Sequence, residues 1–192
     1  MSYSIKQHSD WKERMKHRKD QEGVMSDTQM GRTGIQDRAK ESISSKNLHP
    51  HGSSCEVGLV KPSHVDDVWM TVYDHLEKMY PHSEGELTPN DFYEELTSGQ
   101  MQLWIAVDEG EILASMITQI IPYPRKTVLR VISIGGDDMD KWIHNLPLVE
   151  NWALEMGCSS LELWGRKGWL KILKDWECSY HVLTKDLKGR IH

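Results

Sequence analysis

The sequence has little of what builds secreted or membrane proteins. Its three cysteines, Cys55, Cys158 and Cys178, are odd in number and form no CxxC pair. That spacing argues against a disulfide framework and against a zinc site. No apolar run approaches the ~18 residues of a membrane helix, and the N-terminus lacks the apolar core of a secretory signal. We therefore expect cytoplasmic synthesis, no membrane partner and no bound metal.

Aromatic and branched apolar residues are scarce in residues 1–54, where Tyr3 and Trp11 are the two aromatics. Such a composition cannot bury enough apolar surface to offset chain entropy. We predict an extended polar N-terminal arm over residues 1–54, preceding one domain over residues 55–192. Two interpretations of the arm stay open: a solvated leader, or a segment that becomes ordered by docking on a protein partner.

Charge is divided unequally between these two regions. The arm carries 10 Lys and Arg against 7 Asp and Glu, whereas the remainder carries 13 against 22. A mildly basic arm favours an acidic protein surface as its partner. The excess of three positive charges is too small for us to expect nucleic-acid binding.

Apolar periodicity predicts an α/β domain. A short strand at residues 56–60 precedes a helix whose apolar residues recur at helical spacing from Val65 to Met79. A second helix starts at Thr88, which is followed by Pro89 and by an acid at the third helical position. Two apolar runs across a glycine turn then form a β-hairpin over residues 102–120.

The second half alternates strands with helices, a pattern typical of one sheet with helices on its faces. A strand over residues 128–134 leads into Gly135-Gly136, and helix, strand, helix and strand follow as far as Leu187. Pro147 should break the first of these helices near Asn145. We predict a mixed, mostly antiparallel sheet flanked by helices.

This order, over residues 55–187, resembles the GNAT superfamily of N-acetyltransferases. The residues that carry the likeness are those from Val60 to Asp67, the hairpin from Gln102 to Ile112, and the segment from Trp164 to Glu177. The Gly-Gly-Asp-Asp-Met turn and the Gly-Arg-Lys-Gly-Trp segment also resemble uncharacterised GNAT-like proteins of tailed phages.

The resemblance implies an acetyl-CoA cofactor held after the fourth strand. There the family has an R/Q-x-x-G-x-G/A loop whose backbone N–H groups bind pyrophosphate. Here Gly135 and Gly136 stand without the arginine or the glycine spacing, and Asp137, Asp138 and Asp140 follow. These acids could cap a helix, but they would repel phosphate. The candidate cofactor-binding residues are Gly135 and Gly136, together with a second possible anion site at Arg166, Lys167 and Gly168.

The resemblance also implies a tyrosine that protonates the departing thiolate, and that position falls on Leu173. If the protein is an enzyme, the candidate catalytic residues are Asp137, Asp138, His144 and Tyr180. A lone histidine on a helix is more often structural than catalytic.

Two functions therefore remain open from the sequence. The first is a non-catalytic, degenerate GNAT-like protein with no cofactor, acting in protein–protein interaction or assembly. Its setting would be that of a phage structural protein in virion assembly, with the N-terminal arm docked on another virion protein. The alternative is an acyl-CoA-dependent N-acetyltransferase with non-standard catalytic groups. The first interpretation rests on the missing phosphate loop and the missing tyrosine.

Overall fold

A computed structural model describes residues 55–79, 87–179, 183 and 185. The predicted N-terminal arm, Tyr180 and most of the predicted last strand lie outside these residues. Within them, no helix is long and apolar enough to cross a membrane.

Five strands form one sheet in the order β1-β2-β3-β4-β5. The first four pair antiparallel, and β5 pairs parallel to β4, so the predicted mixed, mostly antiparallel sheet is confirmed. The strands are β1 (Glu56–Val60), β2 (Gln102–Asp108), β3 (Glu111–Tyr123), β4 (Lys126–Gly136) and β5 (Ser160–Leu163).

Helices lie on both faces of this sheet. They are α1 (Val65–Met79), α2 (Pro89–Thr97), the single turn α3 (Met139–Trp142) and α4 (Leu146–Glu155). Short 3₁₀ turns occupy Pro62–His64, Ile143–Asn145 and Lys167–Lys171. The break predicted from Pro147 is confirmed, since a 3₁₀ turn separates α3 from α4 and the proline lies in the first turn of α4.

The two faces of the sheet have separate apolar cores. The apolar stripe of α1, with Trp69 and Val72 fully buried, packs with α2 on alternate residues of β2 and β3 such as Ile105 and Ile117. On the other face α4 packs through Val149 on a cluster that includes Leu129. Burial on both faces explains why β2 reads as a continuous apolar run rather than an alternating one.

The start of α2 has the predicted cap. The Thr88 hydroxyl accepts a hydrogen bond from the Asp91 N–H at 3.4 Å, and the Asp91 carboxylate accepts one from the Thr88 N–H at 2.7 Å. This reciprocal capping box satisfies two helix N–H groups at once. The bonds that Thr88 donates lower the pKa of Asp91.

Two strands extend further than the sequence predicts. Strand β3 continues through Pro122 to Tyr123, and β4 begins at Lys126 after a tight turn. Strand β4 also includes Gly135 and Gly136, which we expected in the turn. The pairing of Ala114 with Gly136 holds both glycines in the sheet.

The helix predicted over the Trp164–Glu177 segment is wrong. The structure has a five-residue 3₁₀ turn there, Lys167–Lys171, followed by turns. Gly168 lies inside the turn, where it disfavours an α-helix. The segment also buries little beyond Leu173, and Leu170 and Ile172 are exposed. Without an apolar face against the sheet, a short helix has little tertiary support.

At the end of β4, Gly136 is the residue whose substitution should destabilise the protein most. Its φ is +151°, and an added Cβ would overlap the Leu113 carbonyl oxygen and Ala114 Cα. Gly157, after α4, has φ of +78° and open space around it. We expect Gly136→Ala to lower the free energy of unfolding by at least ~3 kcal/mol and Gly157→Ala by only ~1 kcal/mol, as measured by urea denaturation. Equal losses in the two variants would show that the backbone around Gly136 relaxes.

Candidate functional site

Strands β4 and β5 separate before β4 ends. Their pairing runs from Val128 with Ser160 to Val131 with Leu163 and goes no further. On its other side β4 stays paired with β3 as far as Gly136. Among the described strands, residues 132–136 therefore have a partner on one side only. We call the space between residues 132–136 and residues 164–166 the β4–β5 cleft.

A β-bulge lies where the two strands separate. Thr118 pairs with Val131 and Ile117 with Ser133, so Ile132 is the extra residue in β4. A bulge bends its strand and increases the local twist. The bulge directly follows the last rung of the β4–β5 ladder, so the bend in β4 and the end of the pairing fall at the same place.

Both predicted anion-binding segments lie at the carboxyl end of this parallel pair. Gly135 and Gly136 end β4, and Arg166, Lys167 and Gly168 follow β5. The crevice outside the carboxyl ends of parallel strands is the usual place for a ligand in an open α/β sheet. Arg166 and Lys167 are exposed and start the 3₁₀ turn.

The turn after β4 uses its own backbone groups internally. The Asp137 N–H donates to the Leu113 carbonyl at 2.8 Å, and the Trp142 indole N–H donates to the Asp137 carbonyl at 2.9 Å. Helix α3 is a single turn that passes directly into a 3₁₀ turn. The resemblance implies backbone N–H groups that bind a pyrophosphate in this turn. The turn after β4 is less suited to this than the resemblance implies.

Asp137 and Asp138 do not act as the helix caps we considered. Asp138 precedes α3 with φ of +48° and makes no side-chain capping bond. Asp137 pairs with Lys78 at 3.1 Å, and Asp138 pairs with Lys141 at 3.3 Å. These exposed acids have cations within reach, and the ion pairs take the place of capping.

Lys141 also pairs with Asp108 at 3.1 Å. The hydrogen bonds that Lys141 donates to Asp108 and Asp138 raise the pKa of Lys141. Two of the cations nearest the end of β4, Lys78 and Lys141, are therefore already paired with carboxylates. A phosphate arriving here would have to compete with those carboxylates for the same side chains.

His144 is exposed in the 3₁₀ turn after α3. Its neighbours Trp142 and Ile143 pack near Ala106 and Ala114, on the face opposite α1. Nearby, Cys55 is buried beneath Trp142. Burial, with the charge of Asp108 second, raises the pKa of the Cys55 thiol to about 11, so it is not a ready nucleophile.

A buried histidine that the sequence did not single out lies beside the cleft. His75 of α1 is 4% exposed, and its Nδ1 is hydrogen-bonded to the Oγ of Ser115, itself 3% exposed, at 3.1 Å. Ser115 is directly opposite Gly135 across the β3–β4 ladder. Burial lowers the pKa of His75 below its usual 6.5, with the charge of Lys78 acting in the same direction.

The signal for His75 was present in the sequence. It lies three residues after Val72 and four before Met79, within the apolar stripe of α1. A polar residue inside an apolar stripe needs a buried partner. The partner, Ser115, is forty residues away along the chain, which spacing alone could not identify.

Met79 fills the space above Gly135. A Cβ added to Gly135 would overlap the Met79 Sδ, and the Ser133 hydroxyl donates to the same sulfur at 3.9 Å. The α1 side of the β4–β5 cleft is therefore lined by a thioether and a serine. A thioether is soft and adaptable, and it suits an apolar ligand better than a charged one.

A polar cluster closes the base of the cleft on the α1 face. Arg130 pairs with Glu162 at 3.0 Å and donates to the Tyr123 hydroxyl at 2.6 Å. The Trp164 ring lies 4.0 Å from the Arg130 guanidinium and is 55% exposed. Arg130 lies before the last paired rung of the β4–β5 ladder. Trp164, whose ring lies on Arg130, therefore covers the base of the cleft and does not cover residues 132–136.

The expected proton donor of the thiolate is absent at the matched position. Leu173 is 7% exposed and packs into the protein, so it has no acidic group to offer. Tyr180, the alternative, lies outside the described residues.

Several solved structures with a similar fold are named as acetyltransferases. One is an aminoglycoside acetyltransferase from an uncultured soil metagenomic sample in complex with sisomicin, with TM-score 0.57 and 9% identity over 70% of this chain and 97% of that one. The fold is the GNAT fold.

Two further structures have the same fold. A predicted acetyltransferase with acetyl-CoA from Clostridium acetobutylicum has TM-score 0.54 and 13% identity over 72% of this chain and 99% of that one. A ribosomal-protein-alanine N-acetyltransferase from Brucella melitensis biovar Abortus 2308 has TM-score 0.53 and 12% identity over 69% and 98%. At such identities the likeness establishes the fold alone.

No protein-family model matches the sequence, and no curated protein matches it. Nothing in these comparisons supports a connection to phages, a virion location or an assembly role. The expected GNAT-like fold is confirmed, and the candidate site residues remain predictions.

The depressed pKa of His75 has a consequence for stability. The unfolded chain binds more protons than the folded protein between the folded pKa and 6.5, so stability should be complete above pH 6.5 and fall as the pH drops through the folded pKa. We expect His75→Gln to flatten this part of the pH profile of the unfolding free energy. Parallel profiles for wild type and His75→Gln would show that His75 does not titrate as described.

Proposed function

We propose that the protein is an N-acyltransferase that binds an acyl-CoA thioester in the β4–β5 cleft. The observation that carries this proposal is the end of the parallel β4–β5 pairing at Val131 and Leu163, after which β5 no longer borders β4. The acetyltransferase structures with the same fold agree with this function.

The chain's own residues suit the arm of such a donor. Among the described strands, residues 132–136 have a partner on one side only, and their other edge can hydrogen-bond to an extended ligand carrying amides as a neighbouring strand would. The pantetheine arm of CoA is a ligand of that kind. Met79 and Ser133 line the cleft, and the bound thioester would supply an acyl carbon open to attack by an amine.

The phosphates of CoA fit less well than its arm. Asp137 and Asp138 lie at the turn where the fold would receive them, while Arg166 and Lys167 lie at the end of β5. We infer that the two cations hold a phosphate and that the two acids weaken this binding. We therefore expect the protein to bind CoA with modest affinity.

The overall charge of the protein favours a positively charged acceptor. The described part of the chain is rich in acids, and the whole protein has a formal net charge of −6. A net negative protein raises the concentration of cations around it. The sisomicin complex contains a polyamine aminoglycoside, and we propose a cationic amine as the acceptor here.

A non-catalytic interaction protein is the second candidate. The observation that favours it is the turn after β4, where ion pairs to Lys78 and Lys141 and a bond to Leu113 satisfy the groups that would bind phosphate. The proposed docking of residues 1–54 on a partner belongs to this candidate. It predicts no affinity for CoA.

Calorimetric titration of the full chain with acetyl-CoA and with CoA separates the two functions. The acyltransferase predicts a dissociation constant in the micromolar range for both ligands. Heats indistinguishable from dilution would exclude it and leave the interaction protein.

A matched pair of variants tests the role of the acids. Asp137→Asn with Asp138→Asn should tighten CoA binding about thirtyfold, since each of the two removed carboxylates contributes about 1 kcal/mol near a phosphate at a protein surface. Glu155→Gln with Glu150→Gln removes the same charge from α4 and should change the affinity less than twofold. The gain should shrink at high salt. Equal affinities in the two double variants would show that the acids do not face the donor.

A further inference from the structure

We infer that His75 presents its Nε2 lone pair toward the β4–β5 cleft and accepts the proton of the attacking amine, with Ser115 as the positioning residue. The inference rests on the proposed acyl transfer and names a proton acceptor for it. It assigns the role to α1, instead of to Asp137, Asp138 or His144.

The register of the sheet places His75 next to the cleft. Its Nδ1 lies 3.1 Å from the Ser115 Oγ. Ser115 is paired with Gly135, and the Cβ positions of such opposite residues are about 5 Å apart. Gly135 is in the part of β4 that β5 leaves unpaired. The proton transfer that we infer runs through a water, which general bases can use.

Glycine at position 135 keeps this path free of a β4 side chain. The position that a side chain at Gly135 would take is occupied by Met79, one turn after His75 on the same face of α1. A flexible methionine can move where a β-carbon on the strand could not. His75 and the unpaired part of β4 are therefore separated by one adaptable side chain.

The hydrogen bond to Ser115 can fix the tautomer of the imidazole. If Nδ1 carries the proton and donates it to the Ser115 oxygen, Nε2 is left with a lone pair. A serine hydroxyl can accept this bond and donate its own proton elsewhere. The tautomer with Nε2 free is the one that can take up a proton.

The charges around His75 keep the ring neutral at physiological pH. Burial is the largest effect and lowers its pKa, and Lys78 on α1 lowers it further. Asp137 from the turn after β4 and Asp74 on α1 act in the opposite direction. The net result is a pKa below 6.5, so the ring is unprotonated and ready to accept a proton at pH 7.

The transfer balances with these groups. One nitrogen of the acceptor attacks as the neutral amine, while its other ammonium groups keep their charge. This nitrogen forms a bond to the thioester carbonyl carbon, and the carbon–sulfur bond breaks. His75 takes one proton from the nitrogen through a water and later releases it to the departing thiolate. The products are an amide and a free thiol, and no oxidant or reductant is needed. Because Leu173 cannot supply a proton, the same proton serves both ends of the reaction.

Nitrogen NMR of the full chain tests the tautomer without turnover. We expect the Nε2 of His75 to have the chemical shift of an unprotonated ring nitrogen at pH 7.5 and to titrate below 6.5. Ser115→Ala should mix the two tautomers, and Ser115→Thr, which keeps the hydroxyl, should restore the original one. A protonated Nε2 in the wild-type protein would overturn the inference.

Addition of acetyl-CoA tests the position of His75. We expect the His75 ring signals to shift at saturation, while those of His64, in the 3₁₀ turn before α1, stay unchanged. Calorimetric binding without a shift at His75 would overturn the inference and leave the proposed function. No calorimetric binding would overturn the proposed function itself.

Release of free CoA from acetyl-CoA, with sisomicin as the amine, tests the role in transfer. We expect His75→Gln to lower kcat at least a hundredfold with the KM for acetyl-CoA within a factor of two. Ser115→Ala should lower kcat about tenfold, since part of the population keeps the competent tautomer. Wild-type kcat in His75→Gln, or no turnover by a wild-type protein that binds acetyl-CoA, would overturn the role of His75.

Discussion

The end of the parallel ladder between β4 and β5 is the constraint on which the candidate site depends. The bulge at Ile132 bends β4 away from its partner immediately after Val131. That bend frees one edge of residues 132–136 and brings Ser133 and Gly135 toward Met79 at the end of α1. It also separates the buried core beneath α1 from the exposed residues after β5.

The charges after β4 act against the proposed ligand. Asp137 and Asp138 hold Lys78 and Lys141 in ion pairs, so a phosphate bound there would compete with two carboxylates. Exposed ion pairs of this kind are individually weak, so under the proposed function they would lower the affinity for CoA without blocking it.

Local patterns in the sequence were sufficient for most of the fold. The capping box at Thr88 and the break before Pro147 involve neighbouring residues, and both are as predicted. The helix predicted after Trp164 is wrong because such a helix needs an apolar surface to pack against, and the sheet does not provide one there. His75 and Ser115 could not be paired from the sequence, since their contact depends on how α1 packs on β3.

Hydrogen exchange of β4 tests the account most directly. In the free protein, the backbone amides of residues 132–136 should exchange faster than those of residues 128–131, which have partners on both sides. Saturating CoA should slow exchange across residues 132–136 and leave residues 56–60 of β1, at the opposite edge of the sheet, unchanged. Equal exchange in residues 132–136 with and without bound CoA would contradict the assignment of the β4–β5 cleft as the donor site.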